Sequence, residues 1–307
     1  MLAYVLKRAG FNLGVMAVVV TLTFFLMRLL PGDPFMSQRV NPEIKANLYS
    51  KYHLDQPVSR QYAEYLSALS RFDLGESLKY PGRTVNQIIA ESFPVSAAVG
   101  SLALVLSVVL GVAMGVLSAV WHSRWPGRLI LALTTLGLSI PNFAVGAGLI
   151  YIFALKLKMF PVAMYERPLD LMLPVLTLSA WPAAVITRLI RTEMIEVLNK
   201  DYIIAARVRG LGSASVILRH ALPNALPAAI HYTGPLAAAL LTGSFIVEKI
   251  FALPGLGQYY ITSIGNRDYN LVAGITIFYT FILLVSTFLA DILTFLMNPQ
   301  CRYRNES

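Results

Sequence analysis

Long apolar stretches separated by short polar turns run through this chain of 307 residues. Stretches without an ionisable side chain fall at 9–27, 92–121, 129–155, 171–187, 221–247 and 269–290, the fifth interrupted only by His231. A helix needs about 20 apolar residues to cross a bilayer. Each stretch is near or above that length, with 171–187 at the short limit. The pattern predicts an all-α membrane protein forming a single transmembrane domain, 1–307. Its six spanning helices are expected at about 9–30, 95–121, 129–155, 171–190, 225–247 and 270–297. Residues 31–94 then make an extracytoplasmic cap and 191–224 a cytoplasmic loop. The period-two alternation of strands is absent.

Within the cap, Pro31-Gly32-Asp33-Pro34 forces a turn. Asn41 before Pro42 and Glu43 caps a helix running to about Tyr52. Pro57 opens a second, with Tyr62, Tyr65 and Leu66 on one face, and Thr84 caps a third through Ile88, Ile89 and Phe93. The segment reads either as a cap on the membrane surface or as a docking surface for an extracytoplasmic partner. Pro141 in the third span, and Pro174 and Pro182 in the fourth, remove backbone donors and bend their helices. Gly111, Gly115, Gly146 and Gly148 let helices approach closely.

Basic residues in short loops mark the cytoplasmic side. One side carries twelve: Lys7, Arg8, Arg124, Arg128, Arg188, Arg191, Lys200, Arg207, Arg209, Arg219, Arg302 and Arg304. The opposite short loops carry five: Lys156, Lys158, Arg167, Lys249 and Arg267. Both termini are therefore expected in the cytoplasm. The apolar run near the N-terminus is too long for a signal peptide and lacks a cleavage site, so it is expected to be retained.

Composition agrees with a membrane chain, since 56% of residues are hydrophobic and 13% charged, against about 25% charged in soluble domains. The net charge of +9 is spread over loops, with no basic helix interleaved with aromatics, which argues against nucleic acid. Cys301 stands alone, and His53, His122, His220 and His231 are far apart, so neither a disulfide nor a metal cluster is expected. No phosphate loop, zinc helix or nucleophile elbow occurs. The sequence thus predicts no catalytic residue, no cofactor and no metal.

One polar insert, Asp201–Ala229, breaks the apolar pattern. Asp201 suits a helix N-terminus. Ala205 and Ala206 give a smooth surface, and Gly210 ends the helix or admits a partner's backbone. Arg207 and Arg209 are available to acids on a partner, and Leu222-Pro223 sets the entry to the fifth span. Two readings remain open: a helix gripped by a partner, or an interfacial helix with snorkelling arginines. Near the outer end of the fifth span, Glu248 precedes the turn Pro254-Gly255-Leu256-Gly257. That segment is read as a cover of the outer mouth, with a gating or a structural role. Asp291 lies among apolar residues of the sixth span, where an acid faces the protein interior or a partner. Arg28 can snorkel and needs no special role.

Residues Ala205, Ala206, Gly210, Leu222 and Pro223 have the spacing of the E-A-A-x-x-x-G…I-x-L-P loop by which permease subunits of ATP-binding-cassette importers engage their ATPases. Ile204 and His220 depart from that pattern. Arg207, Gly210, Leu211, Arg219, His220, Ala221 and Leu222 match its peptide-transporter branch. So do M-R-L-L-P-G-D-P, K-Y-H-L, E-S-F-P-V-S-A, G-S-F-I-V-E-K-I-F-A-L-P-G-L-G and N-R-D-Y. The chain resembles the oligopeptide, dipeptide and nickel importer permeases, most of all the B-type subunit of oligopeptide transporters. The resemblance implies a type I importer permease fold with a coupling helix in the bacterial inner membrane, moving oligopeptides. It also implies a homologous C-type permease, two ATPase subunits and an extracytoplasmic peptide-binding protein as partners. Dipeptides, glutathione or nickel are alternative cargoes. The rival from another class is a self-contained secondary carrier or channel, although no inverted repeat is evident.

Overall fold

The computed structural model describes residues 2–29, 35, 42–162 and 167–297. The expected turn at Pro31–Pro34, the Asn41 cap, Cys301 and the basic tail lie outside the described residues. The helices are α1 (Leu2–Leu29), α2 (Pro42–Lys51), α3 (Val58–Ser70), α4 (Val85–Val120), α5 (Trp125–Ser139) and α6 (Asn142–Leu149). They continue with α7 (Met172–Leu198), α8 (Asp201–Val208), α9 (Ser213–Ser215), α10 (Leu222–Leu241), α11 (Phe245–Ile250), α12 (Leu256–Asn266) and α13 (Tyr269–Met297). Among the described residues, five helices are long and apolar enough to cross a membrane, or six if the bent pair α5–α6 is one span. An isolated bridge joins Glu76 and Thr84.

The chain divides into two compact units, Met1–Pro94 with Gly255–Phe281 and Val95–Pro254 with Ile282–Ser307. In the first, Val85, Ile88, Leu256, Leu271 and Ile275 make a buried cluster. The Phe24 ring of α1 packs at 5.0 Å on Tyr62 and 5.3 Å on Tyr65 of α3. Burial there pushes the Tyr65 hydroxyl up to about 12. Leu66, expected on the same face, is exposed instead. Arg28 does more than snorkel: Nε donates to Gln61 Oε1 at 2.8 Å, and the guanidinium lies over the Phe24 ring.

Thr84 and Gln87 form a capping box, each side chain accepting from the other's backbone N–H at 3.2 and 3.0 Å. The helix they start is no short cap helix. α4 runs for 36 residues, with Pro94 inside it, so the third cap helix and the second span are one element.

The second unit is built around α7. Gly111 and Gly115 of α4 lie against Ile186 and Ile190, where an added Cβ would sit 2.6 and 2.7 Å from isoleucine carbons. Absence of side chains there lets the two backbones close up. α5 and α6 are bent by 105° at their junction. Ile140 is extended before Pro141, as the proline ring demands. α6 then widens into a π-helical stretch, Ile150–Lys156. The charge-free stretch 171–187 suggests a helix stopping near 190, but α7 continues to Leu198 because Met194 and Val197 are buried beyond the arginines. The stretch 221–247 is not one helix either: α10 ends at Leu241, and a turn at Thr242–Ser244 leads into α11.

Candidate functional site: helix α8 and the buried acids

α8 follows α7 after only Asn199 and Lys200. Asp201 stands in its first turn, where a negative charge suits the dipole. Spacing of three places Ile203 and Ala206 inward, and both are buried in the cluster with Met194, Val197 and Val216. Removing the isoleucine side chain from water contributes about 2 kcal/mol. Ala205, Arg207 and Arg209 face outward with Tyr202, Ile204 and Val208. Val208 is 83% exposed.

The helix stops at Gly210. Its N–H donates to the Arg207 carbonyl at 3.0 Å and the next N–H, of Leu211, to Ala206 at 3.3 Å. These two bonds make a Schellman cap, and Gly210 supplies the left-handed φ of 80° it needs. Nothing lies within 4 Å of a Cβ built there, so the glycine is required by backbone shape within this chain. Leu211 is exposed.

Entry to the fifth span is earlier than Leu222-Pro223. Gly212 precedes α9, which runs on through a π-helical turn, Val216–Ala221, into α10. Pro223 has no N–H for the Arg219 carbonyl, and the wider turn just before it accommodates the missing bond. His220 is half-buried in that turn, its carbonyl accepting from Asn224 Nδ2 at 2.7 Å. Leu222 is half-buried and Pro223 exposed. The structure thus gathers Asp201–Val208 on one short helix, with Arg209, Gly210 and Leu211 in its cap, and sets His220, Leu222 and Pro223 on the following segment, whose π-turn packs against it.

Of the residues expected to cover the outer mouth, Glu248 is buried in α11 and accepts from Ser96 Oγ of α4 at 2.7 Å. Gly243 takes φ 85°, and a Cβ there would strike Glu248 Oε1 and Ser96 Oγ. Only glycine fits both the turn and the carboxylate. Leu253 N–H returns to the Glu248 carbonyl at 2.8 Å, with Ala252 left-handed. Pro254 is exposed, whereas Gly255 is buried and precedes α12, in which Gly257 is also buried. Asp291 is half-buried in α13, its Oδ2 shielded from solvent.

Two anchoring residues escape a reading of the sequence by function. Asp268 is fully buried and precedes α13. Its carboxylate accepts from the Leu78, Lys79 and Leu271 N–H groups at 3.1, 3.2 and 3.2 Å, and from the Ser77 hydroxyl. One side chain thereby caps a helix and holds the loop at Ser77–Lys79, 190 residues away in sequence at Leu78. Arg191 Nη1 donates to the Ser118 carbonyl and Oγ at 2.6 and 2.5 Å. That carbonyl belongs to the last turn of α4, where cations are favoured. The N-R-D-Y block and the arginine run were the available signals.

A family model for the binding-protein-dependent transport system inner membrane component matches residues 107–303. The dipeptide transport system permease protein DppB of Bacillus subtilis strain 168 is 42% identical over 303 residues, 98% of each chain. The oligopeptide transport system permease protein OppB of Haemophilus influenzae is 39% identical over 99% of this chain and 100% of its own. Among solved structures, an inward-facing conformation of the MetNI methionine ABC transporter aligns with a TM-score of 0.57 at 18% identity. It covers 69% of this chain and 96% of the other, a likeness of fold.

Proposed function

The chain belongs to the binding-protein-dependent transport system inner membrane component family, and from that premise we propose that it is one permease half of an ATP-driven peptide importer. In this reading a homologous C-type permease completes the translocation path, two ATPase subunits engage the cytoplasmic face, and an extracytoplasmic binding protein delivers the peptide. In this reading both termini lie in the cytoplasm, the side favoured by the excess of basic loop residues. ATP hydrolysis resides in the partner subunits.

The observation that carries the reading is α8. It is tied by a two-residue link to α7 and by the π-turn to α10, and it leaves Tyr202, Ala205, Arg207, Val208 and Arg209 exposed. An ATPase that grips this face moves two long helices together. Ligands on either side then bias two pre-existing states of the path. Glu248, Pro254, Gly255 and Gly257 serve the outer gate, and Asp291 serves a contact between helices or subunits. Dipeptide cargo is the second reading, favoured by the 42% identity to a dipeptide permease.

Reconstitution tests the proposal. The four-subunit complex in proteoliposomes is expected to accumulate binding-protein-delivered peptide only with ATP, and the chain alone to move none. Ion-driven flux through the chain alone would reject the proposal in favour of a secondary carrier or channel.

A further inference from the structure

Arg188 of α7 is an exposed charge within a membrane-spanning helix. Its Nη2 donates to Thr135 Oγ1 of α5 at 2.7 Å. α5 begins at Trp125, so Thr135 lies about 15 Å along it. Arg191, one turn later on α7, reaches the end of α4 instead. The Arg188 head is therefore held at the level of Thr135, within the mostly apolar stretch 129–136 of α5. Thr192 shares its face of α7 and is exposed; so is Ser139 on α5, whose hydroxyl donates to the Thr135 carbonyl at 2.9 Å. A polar strip on two packed helices is costly against lipid, and such groups face a wet cavity or another subunit.

We propose that Arg188, oriented by Thr135, lines the translocation path and binds the terminal carboxylate of the peptide in transit. The inference deepens the peptide-importer reading and rests on it. Thr135 takes one of the five guanidinium donors. The planar fork that remains matches a carboxylate, the one anionic group every unmodified linear peptide carries. A point cation such as lysine lacks that fork.

Transport by the complete complex in proteoliposomes, normalised to ATP hydrolysed, tests this with one peptide as free acid and as C-terminal amide. Arg188→Gln is expected to slow the free acid about tenfold, the weight of one charged hydrogen-bonded pair. The amide rate should stay within about twofold, and Arg188→Lys should recover part of the loss. Equal loss for both peptides, or no loss, overturns the carboxylate role. Arg188→Cys in a Cys301→Ser background gives a second readout. A charged thiol reagent is expected to label position 188 in one nucleotide state and not in the other. No labelling in any state would place this face against a second subunit and overturn the path assignment. If the unaltered complex moves neither peptide form, the peptide reading falls and takes the carboxylate role with it, while labelling still decides whether position 188 faces the path.

Discussion

α8 and the joint at Asp268 solve the same problem, holding a short segment in place, by opposite means. At Asp268 one buried carboxylate collects four donors, and Ser77 Oγ, itself a donor to it, accepts from the Lys79 and Tyr80 N–H groups at 3.1 and 2.9 Å. Asn270 Nδ2 adds a bond to the Glu76 carbonyl at 2.9 Å. At α8 two buried aliphatic side chains and a backbone cap suffice, and the rest of the surface is left to solvent. A satisfied polar network fixes one geometry. A thin apolar contact with an exposed face leaves an element free to be gripped.

Three experiments sharpen the contrast. Asp268→Ala is expected to cost roughly 3 kcal/mol, because it strands several buried donors at once. Thermal unfolding of the purified protein in detergent measures it, and Asp268→Asn should lose less than half as much. A shift below about 1 kcal/mol would mean that the joint is not held by this network. Gly210→Val forces a β-branched residue to a φ of 80° and is expected to cost about 1–2 kcal/mol. Peptide-stimulated ATPase activity of the complex should fall with it, and Gly210→Asn should be milder. Normal assembly with normal coupling in Gly210→Val would reject the proposed role of α8. Val208→Ser should leave the unfolding transition within about 0.5 kcal/mol yet weaken co-purification of the ATPase subunits. Unchanged co-purification would mean that the exposed face of α8 is not where they bind.

Local signals were the legible ones. Thr84 with Gln87, Pro141, and Gly210 with its flanking residues act within one turn of themselves, so their effect can be read from neighbours in sequence. Asp268 was legible only as part of a motif, since its partners at Ser77–Lys79 come from another part of the chain. Charge-free length misplaced two boundaries. Arg188 and Arg191 looked like the end of a span, yet both find hydrogen-bond partners on neighbouring helices and α7 continues past them. Thr242–Ser244 has no charge to announce it, so the break between α10 and α11 was invisible to hydropathy. The exposed polar residues of α5 were likewise hidden: Thr135 and Ser139 read as ordinary members of an apolar stretch.

The wide turn at Val216–Ala221 has a bearing on how this chain can change length. A π-turn holds one residue more than an α-turn. Deleting a single position from it lets the coil tighten to ordinary pitch while both flanks keep their orientation. The same deletion inside α10 would rotate everything beyond it by about 100° and carry each buried side chain off its partner. Single-residue gaps between related chains should therefore collect here, in the one stretch of the α8–α10 connection with slack wound into it.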